Sequence, residues 1–214
     1  MSSKESFLKQ INFLKNFRRV IAIDLTGFGK SKKMERAYSL DDYVFDVLSV
    51  INELKIESYD LLAHSFGGRI AVKLALLDER VKKIVLTGSA GLKPKRKLSY
   101  YFKVYYYKLC KNVFKSKRLN NFGSPEYKML SGVERQSYVK IVNTFLDGLI
   151  PKIKNKTLLI FGKNDGETPL YMAKRFNKKI KNSYLYVIND AGHFCFIEKS
   201  HEFNVMLSEF LNGE

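Results

Sequence analysis

The segment around Ser65 is the part of the chain whose residue types most directly suggest chemistry; it reads Ala63-His64-Ser65-Phe66-Gly67-Gly68. The apolar run 59–64 before it predicts a buried strand, and residues 67–77 after it predict a helix. A serine at such a junction can sit on a sharp strand-to-helix turn with its hydroxyl exposed. The pattern matches the nucleophile elbow G-x-S-x-G, with Ala63 in place of the first glycine.

Two further features of this segment follow from the tightness of such a turn. Side chains at positions 63 and 67 are expected to be small, because larger ones would clash across the turn. The backbone N–H of Phe66 is expected to point at the group that the hydroxyl attacks, where it would stabilise an oxyanion. A short small-x-Ser-x-small string also arises by chance at an ordinary glycine-rich helix start, so the segment alone does not establish a site.

An acid and a histidine each follow a predicted strand later in the chain. Asp165 comes after the apolar run 156–162, and His193 comes after the run 183–188. A serine hydroxyl is a weak nucleophile at neutral pH and needs a base within hydrogen-bond reach, which a third group orients. The chain order Ser, Asp, His is that of one known arrangement of this triad. Asp165 in Asn-Asp-Gly could instead be a turn residue, and His193 could be an ordinary loop histidine.

With these residues the sequence resembles the α/β-hydrolase superfamily, in particular its capped esterase and C–C hydrolase-like branch. The resemblance covers nearly the whole chain and rests on four segments in the family's order: 24–31, the Ser65 elbow, Asn164-Asp165 with Pro169, and Gly192-His193. It implies that Ser65 is the nucleophile, that His193 is the base and later the acid, and that Asp165 orients the imidazole. Related dehalogenases and epoxide hydrolases carry aspartate at the elbow. Serine therefore implies acyl transfer to water from an ester, thioester or amide, or cleavage of a C–C bond next to a carbonyl.

The alternation of strand and helix patterns predicts an α/β fold with a mostly parallel sheet covered by helices on both faces. The resemblance implies an α/β-hydrolase core over residues 1–92 and 149–214. Residues 93–148 lack strand patterns and are expected to form a helical cap above the site. Tyr101 and Tyr105 of this cap, together with Phe194, are expected to line the acyl pocket.

The beginning of the chain departs from the family's pattern. Apolar residues from Phe7 to Leu14 predict a helix, and residues 20–24 predict a strand; these correspond to the family's first helix and fourth strand. Strands one to three, and the His-Gly loop that supplies a second oxyanion N–H, would precede them. Their loss leaves a gap beside the strand that carries Ser65. We therefore expect residues 20–24 either to move across and pair with residues 61–64, or to leave a chain of marginal stability.

Two explanations for this beginning remain open, since Met1 can be an internal methionine of a longer hydrolase or the start of a naturally shortened one. In either case Phe66 N–H would provide half of an oxyanion hole. The loss of one such donor typically costs on the order of 100- to 1000-fold in rate. A catalytically impaired hydrolase is thus an alternative to an active one.

Net charge, cysteine spacing and the length of apolar runs limit which other classes of protein the chain can belong to. The net charge is +17, and the cysteines, Cys110 and Cys195, show no metal-binding spacing. No apolar run is long enough to span a membrane, and no signal peptide is recognisable. These features favour a reduced, cytoplasmic protein without metal or cofactor, and they leave the oligomeric state open.

The densest positive charge lies between Lys93 and Arg118, where basic and aromatic residues alternate without an acidic residue. Such a segment can bind RNA or a membrane surface, so a binding module with a basic aromatic cap is a second alternative. The hydrolase resemblance places this segment over the active site, which favours a small-molecule acyl substrate and no nucleic acid. Gly29-Lys30-Ser31 mimics the end of a phosphate-binding loop, but Asp24 occupies its first glycine position.

Two polar residues near Ser65 are interpreted as structural. His64 is expected to be a half-buried ring packed beside the turn. Arg69 is expected to form an ion pair on the helix surface rather than to bind substrate.

Overall fold

The computed structural model describes residues 3–95 and 125–213. The elements in this part of the chain are a 3-10 turn Lys4–Phe7, α1 Leu8–Leu14, α2 Leu40–Glu53, β1 Tyr59–His64, α3 Phe66–Leu77, β2 Val81–Thr87, α4 Pro125–Met129, α5 Gly132–Val142, a 3-10 turn Ile150–Lys152, β3 Lys156–Gly162, α6 Leu170–Lys179, β4 Ser183–Ile188, α7 Cys195–Glu198 and α8 Ser200–Asn212. The four strands of this part form one sheet in the order β1-β2-β3-β4, and each neighbouring pair is parallel. The predicted α/β fold with a parallel sheet is confirmed.

The sheet is covered on both faces, as its apolar strands require. Helices α2, α3 and α6 pack on one face, where Tyr43 and Phe176 are fully buried. Helices α1 and α8 pack on the other face around Phe203 and Leu207. Ser39 precedes α2 as its N-cap and forms a capping box, in which its Oγ accepts from the backbone N–H of Asp42 and the Asp42 carboxylate accepts from the Ser39 N–H.

The prediction of a strand at residues 20–24 is wrong. This segment has no strand hydrogen bonds and does not pair with β1. Strand β1 therefore has a free edge in the described sheet. Tyr59 and Ser65 donate their N–H groups toward β2, so the alternate residues Leu62 and His64 direct their backbone groups to the opposite side.

A cavity of about 1720 Å³ lies between the segment 20–24 and β1. Both this segment and β1 line the cavity, which also reaches Ser65 and His193. The pairing of residues 20–24 with residues 61–64 that the sequence left open does not occur. The Asp24 carboxylate instead accepts hydrogen bonds from the backbone N–H groups of Lys4 and Lys30 at 2.7 and 3.1 Å. These bonds hold the backbone at Lys4 and at Lys30 against the end of the segment 20–24.

The segment after α4 is tied to the core by buried polar contacts. Ser137 on α5 accepts a hydrogen bond from the backbone N–H of Tyr38 at 2.8 Å. Arg69 on α3 donates to the carbonyl oxygen of Thr144. Arg69 is 7% exposed, so its predicted surface ion pair is wrong: the guanidinium is buried between α3 and the end of the α5 segment. The boundaries of the cap at residues 93 and 148 stay a prediction.

Candidate active site

Ser65 occupies a strained position between β1 and α3. Its backbone angles are φ 49° and ψ −112°, in a region that residues with a side chain rarely adopt. The turn is held from both sides: Ser65 N–H donates to the Thr87 carbonyl oxygen at 3.1 Å, and its own carbonyl oxygen accepts from the N–H groups of Gly68 and Ala90. The sharp strand-to-helix turn predicted from the sequence is present, and its strain presents the side chain at the carboxyl end of β1.

The most crowded position in this turn is Gly68. A Cβ atom on Gly67 would lie 3.7 Å from the Ala63 Cβ, which is an ordinary contact. Positions 63 and 67 thus face each other with room for a methyl group at 67, and the clash expected of larger side chains stays a prediction. A Cβ atom on Gly68 would lie 1.7 Å from Ser89 Oγ and 2.8 Å from Ser89 Cβ. The closest approach is therefore between α3 and the loop after β2, which the sequence analysis did not anticipate.

Asp165 and His193 are brought together by the loops that follow β3 and β4. The two residues share a hydrogen bond of 2.9 Å between Asp165 Oδ2 and His193 Nδ1, and both are buried. The same oxygen accepts from the Thr168 hydroxyl at 2.6 Å, while Oδ1 accepts from the backbone N–H groups of Glu167 and Thr168. Burial alone would raise the pKa of Asp165, but the hydrogen bonds from His193 and Thr168 outweigh it and hold this pKa below its ordinary value.

Two glycines that the sequence analysis did not single out make this approach possible. A Cβ on Gly162, the last residue of β3, would lie 2.2 Å from the Gly192 carbonyl oxygen. Gly88, at φ +48°, lies under the imidazole ring, where a Cβ would be 3.1 Å from two His193 ring atoms. The signal available in the sequence was their position, since Gly88 and Gly162 directly follow or end predicted strands.

The other nitrogen of His193 faces a second carboxylate. Nε2 lies 3.2 Å from Glu167 Oε2, and the Glu167 side chain is 59% exposed. Within the described residues, Ser65 and His193 share no hydrogen bond, although both line the same cavity. The structure thus joins two of the three predicted residues directly, and the third lines the same cavity as His193.

His64 supports the loop that carries His193. Its Nε2 lies 3.0 Å from the His193 carbonyl oxygen, which fixes the proton of a neutral ring on that nitrogen. The ring packs 4.5 Å from the His193 ring and 4.8 Å from Phe196. Burial, and then the neighbouring His193, lower the pKa of His64 to about 4. The structural interpretation of His64 agrees with these contacts.

The predicted substrate pocket can be described only in part. Phe194 is 36% exposed and lines the cavity beside His193, whereas Tyr101 and Tyr105 lie outside the described residues. Met129, Leu130 and Tyr138, from the α4–α5 segment, line the same cavity and were not anticipated. Phe66 begins α3, where the first backbone N–H groups of a helix have no partner within the helix.

A metal site has no candidate in the part of the chain that the structure describes, where no group of three His, Cys, Asp or Glu residues converges. Cys195 is buried with its Sγ 3.3 Å from Thr87 Oγ1, and burial raises the pKa of its thiol. Cys195 packs in the core on the α8 side of the sheet. No helix among the described residues combines the length and the apolar character needed to cross a bilayer.

A parallel sheet with serine, aspartate and histidine loops at the carboxyl ends of its strands is the arrangement of an α/β hydrolase. The family model described as "alpha/beta hydrolase fold" matches residues 2–107 and 107–200. The chain therefore belongs to the α/β-hydrolase family and is a hydrolase enzyme.

Similar proteins place it in the C–C hydrolase and esterase branch of that family. The chain is 31% identical over 216 residues to 2-hydroxymuconate semialdehyde hydrolase of Pseudomonas sp. strain CF600, covering 91% of this chain and 76% of that protein. It is 27% identical to 2-hydroxy-6-oxo-2,4-heptadienoate hydrolase of Pseudomonas putida, over 94% of this chain and 81% of the other. Among solved structures, a meta-cleavage product hydrolase from Pseudomonas fluorescens IP01 matches with a TM-score of 0.75 and 26% identity, covering 99% of this chain and 86% of that one.

Proposed function

We propose that the protein is a serine hydrolase that uses Ser65 as nucleophile, His193 as general base and acid, and Asp165 as the group that orients His193. The observation that carries this proposal is the strained backbone of Ser65 beside the buried Asp165–His193 pair. Strain of this kind is retained where a side chain must be presented for chemistry. An α/β hydrolase without this role for Ser65 would have no evident use for it.

The proposed reaction has two halves, in which each proton passes through His193. Ser65 Oγ attacks the carbonyl carbon of the substrate while its proton moves to His193 Nε2. The bond to the leaving group then breaks, and the leaving oxygen or carbon takes that proton. In the second half His193 takes a proton from water, the resulting hydroxide attacks the acyl carbon, and the proton returns to Ser65 Oγ as the acid leaves.

The orientation of His193 in this reaction depends on its Nδ1 contact. Because the Asp165 carboxylate accepts from Nδ1–H, the lone pair of the neutral ring is on Nε2, the nitrogen that must accept the serine proton. Asp165 also stabilises the imidazolium that forms at each transfer. The backbone N–H of Phe66 is proposed to donate to the oxyanion, from the free first turn of α3.

For the substrate we propose a small molecule with a scissile C–C bond next to a carbonyl. This choice rests on relatives that are named for 2-hydroxymuconate semialdehyde and 2-hydroxy-6-oxo-2,4-heptadienoate. The cavity beside Ser65 has a largely apolar wall from Met129, Leu130 and Phe194, which suits the hydrocarbon part of such a compound. No metal or other cofactor is proposed.

A second candidate is ester hydrolysis by the same residues. It is favoured by the similarity to an esterase from Exiguobacterium antarcticum, with 25% identity and a TM-score of 0.77 over 99% of this chain and 88% of that one. Both candidates share the serine attack and differ only in the group that leaves.

The test is a direct comparison of two substrates, 2-hydroxymuconate semialdehyde and p-nitrophenyl acetate, each followed by absorbance. We expect Ser65→Ala to lower kcat by at least about a thousandfold on whichever compound is turned over. Ser49→Ala, at an exposed position of α2, should leave the rate unchanged. Turnover that is equal in wild type and Ser65→Ala would overturn the proposal.

A further inference from the structure

His193 has a carboxylate on each of its ring nitrogens. Asp165 Oδ2 lies 2.9 Å from Nδ1 and Glu167 Oε2 lies 3.2 Å from Nε2. The two carboxylates differ in mobility, because the Asp165 side chain is fully buried whereas that of Glu167 is 59% exposed. The nitrogen that faces Glu167 is the one that the proposed reaction needs free for Ser65.

Glu167 is held near His193 by Asp165 itself. The Asp165 Oδ1 atom accepts hydrogen bonds of 2.8 Å from the backbone N–H groups of both Glu167 and Thr168. The same carboxylate therefore orients Nδ1 through one oxygen and fixes the backbone of Glu167 through the other. Only the side chain of Glu167 remains free to move between the ring and solvent.

The contact places a carboxylate at the ring nitrogen that the proposed reaction needs. A neutral imidazole carries one N–H, and here the Asp165 contact uses it at Nδ1. The nitrogen left to accept a proton from Ser65 is Nε2, and Glu167 Oε2 stands 3.2 Å from it. The Ser65 hydroxyl and the Glu167 carboxylate cannot both contact Nε2 in the geometry that proton transfer requires.

We propose that Glu167 is a positioning residue that occupies His193 Nε2 in the free enzyme, so that its carboxylate must move away before Nε2 can accept the Ser65 proton. This proposal rests on the proposed function of Ser65 and His193. Substrate that enters the cavity beside His193 would displace the exposed carboxylate. Glu167 thereby opposes reaction in the empty site.

The other groups that pack around His193 do not offer a competing explanation for a change at Nε2. His64 from β1 packs against the ring, and its pKa of about 4 keeps it neutral above pH 5. Cys195 of α7, two residues along, is buried, which raises the pKa of its thiol. Thr168 touches Nδ1 at 3.4 Å and does not ionise. The Glu198 carboxylate of α7 accepts a hydrogen bond from the backbone N–H of Gly192 at 2.7 Å.

The test combines a reading of the ring itself with kinetics. We would compare wild type, Glu167→Gln, Glu167→Ala and the matched control Glu57→Gln, which removes a charge from an exposed loop residue. Nitrogen-15 NMR of the imidazoles, assigned with His193→Gln, reports the surroundings of Nε2. We expect the His193 Nε2 signal to be the same in wild type and Glu57→Gln and to be shifted in both Glu167 variants, because the carboxylate 3.2 Å from this nitrogen is removed.

Activity should rise when the Glu167 carboxylate is removed. With p-nitrophenyl acetate at pH 7, we expect kcat/KM of both Glu167 variants to exceed that of wild type and Glu57→Gln roughly two- to fivefold, the size of an exposed ion-pair effect. An unchanged His193 signal in Glu167→Gln would overturn the proposal. The NMR result stands without turnover, so it separates this proposal from the proposed function, which fails if Ser65→Ala keeps its activity.

Discussion

The last residue of strand β3, Gly162, lies directly against the carbonyl oxygen of Gly192, one residue before His193. A Cβ atom on Gly162 would be 2.2 Å from that oxygen and 2.4 Å from the Ala191 oxygen. Both neighbours are backbone atoms, which cannot rotate away. This contact sets the spacing between the Asp165 loop and the His193 loop.

Gly162→Ala is therefore expected to displace the His193 loop. We predict a loss of about 1–3 kcal/mol in the free energy of unfolding, the usual cost of overpacking, together with a fall in activity. Urea denaturation and turnover would measure the two effects. Gly166→Ala is the matched control, because a Cβ there meets nothing within 4 Å. Equal behaviour of the two variants would contradict the assigned spacing.

The elbow offers a second pair of matched glycines. Gly68→Ala should cost about 1–3 kcal/mol of stability because its Cβ meets Ser89. Gly67→Ala fits in the open contact with Ala63 and should be neutral or stabilising by up to about 1 kcal/mol, since alanine favours a helix over glycine. Adding Ser89→Gly to Gly68→Ala should restore stability. Thermal unfolding of wild type and these three variants provides the measurement, and a destabilised Gly67→Ala would contradict the prediction.

Thr168 is expected to support the negative charge of Asp165. Thr168→Val removes a 2.6 Å hydrogen bond to a buried carboxylate and should cost about 1.5–3 kcal/mol at pH 7, as bonds to charged groups do. The pKa of Asp165 lies below its ordinary value in the folded protein. Its stabilising effect is thus present above the unfolded pKa near 4 and is lost as the pH falls through the folded pKa.

The difference between wild type and Thr168→Val should consequently shrink as the pH falls from 7 to 3. Urea denaturation across this range provides the measurement. A difference that stays constant with pH would show that Thr168 acts by packing alone.

His64 also makes the free energy of unfolding depend on pH. Asp165 does so because its charged form is stabilised in the folded protein, whereas His64 does so because burial disfavours its charged form. Burial lowers its pKa to about 4 in the folded protein, whereas the pKa of a histidine in the unfolded chain is about 6.5. Between these two pH values the unfolded chain binds a proton that the folded protein does not bind. Stability should therefore fall from pH 7 to pH 4 by on the order of 3 kcal/mol through this group. Replacement by glutamine, His64→Gln, should remove that part of the slope. NMR titration of His64 in wild type should show no protonation above pH 5, and a midpoint near 6.5 would contradict the burial effect.

The sequence predicted the strands that precede the candidate site residues better than it predicted the edge of the sheet. Ser65, Asp165 and His193 follow strands whose apolar runs are unmistakable, and the structure places each run where predicted. Residues 20–24 carry an equally apolar pattern, yet they form no strand. A strand exists only with a neighbour to pair with, and a local pattern cannot show that a cavity lies between this segment and β1.

The contacts that tune the site were also beyond local patterns. Glu167 and Thr168 differ from other loop residues only through the hydrogen bonds of Asp165. Arg69 reads as a surface residue on its helix, but the α5 segment covers it. Burial of this kind depends on which distant segment packs on the element, and a single sequence does not record it.

The central claim, that Ser65 is a nucleophile activated by His193, is tested most directly by a fluorophosphonate probe and intact mass spectrometry. Wild type and Ser49→Ala should each gain the mass of one adduct, located on Ser65 by peptide mapping. Ser65→Ala should gain none, and His193→Gln should react at least about a hundredfold more slowly, the usual worth of general-base catalysis. Folded wild-type protein that stays unlabelled, or Ser65→Ala that labels as fast as wild type, would contradict the claim.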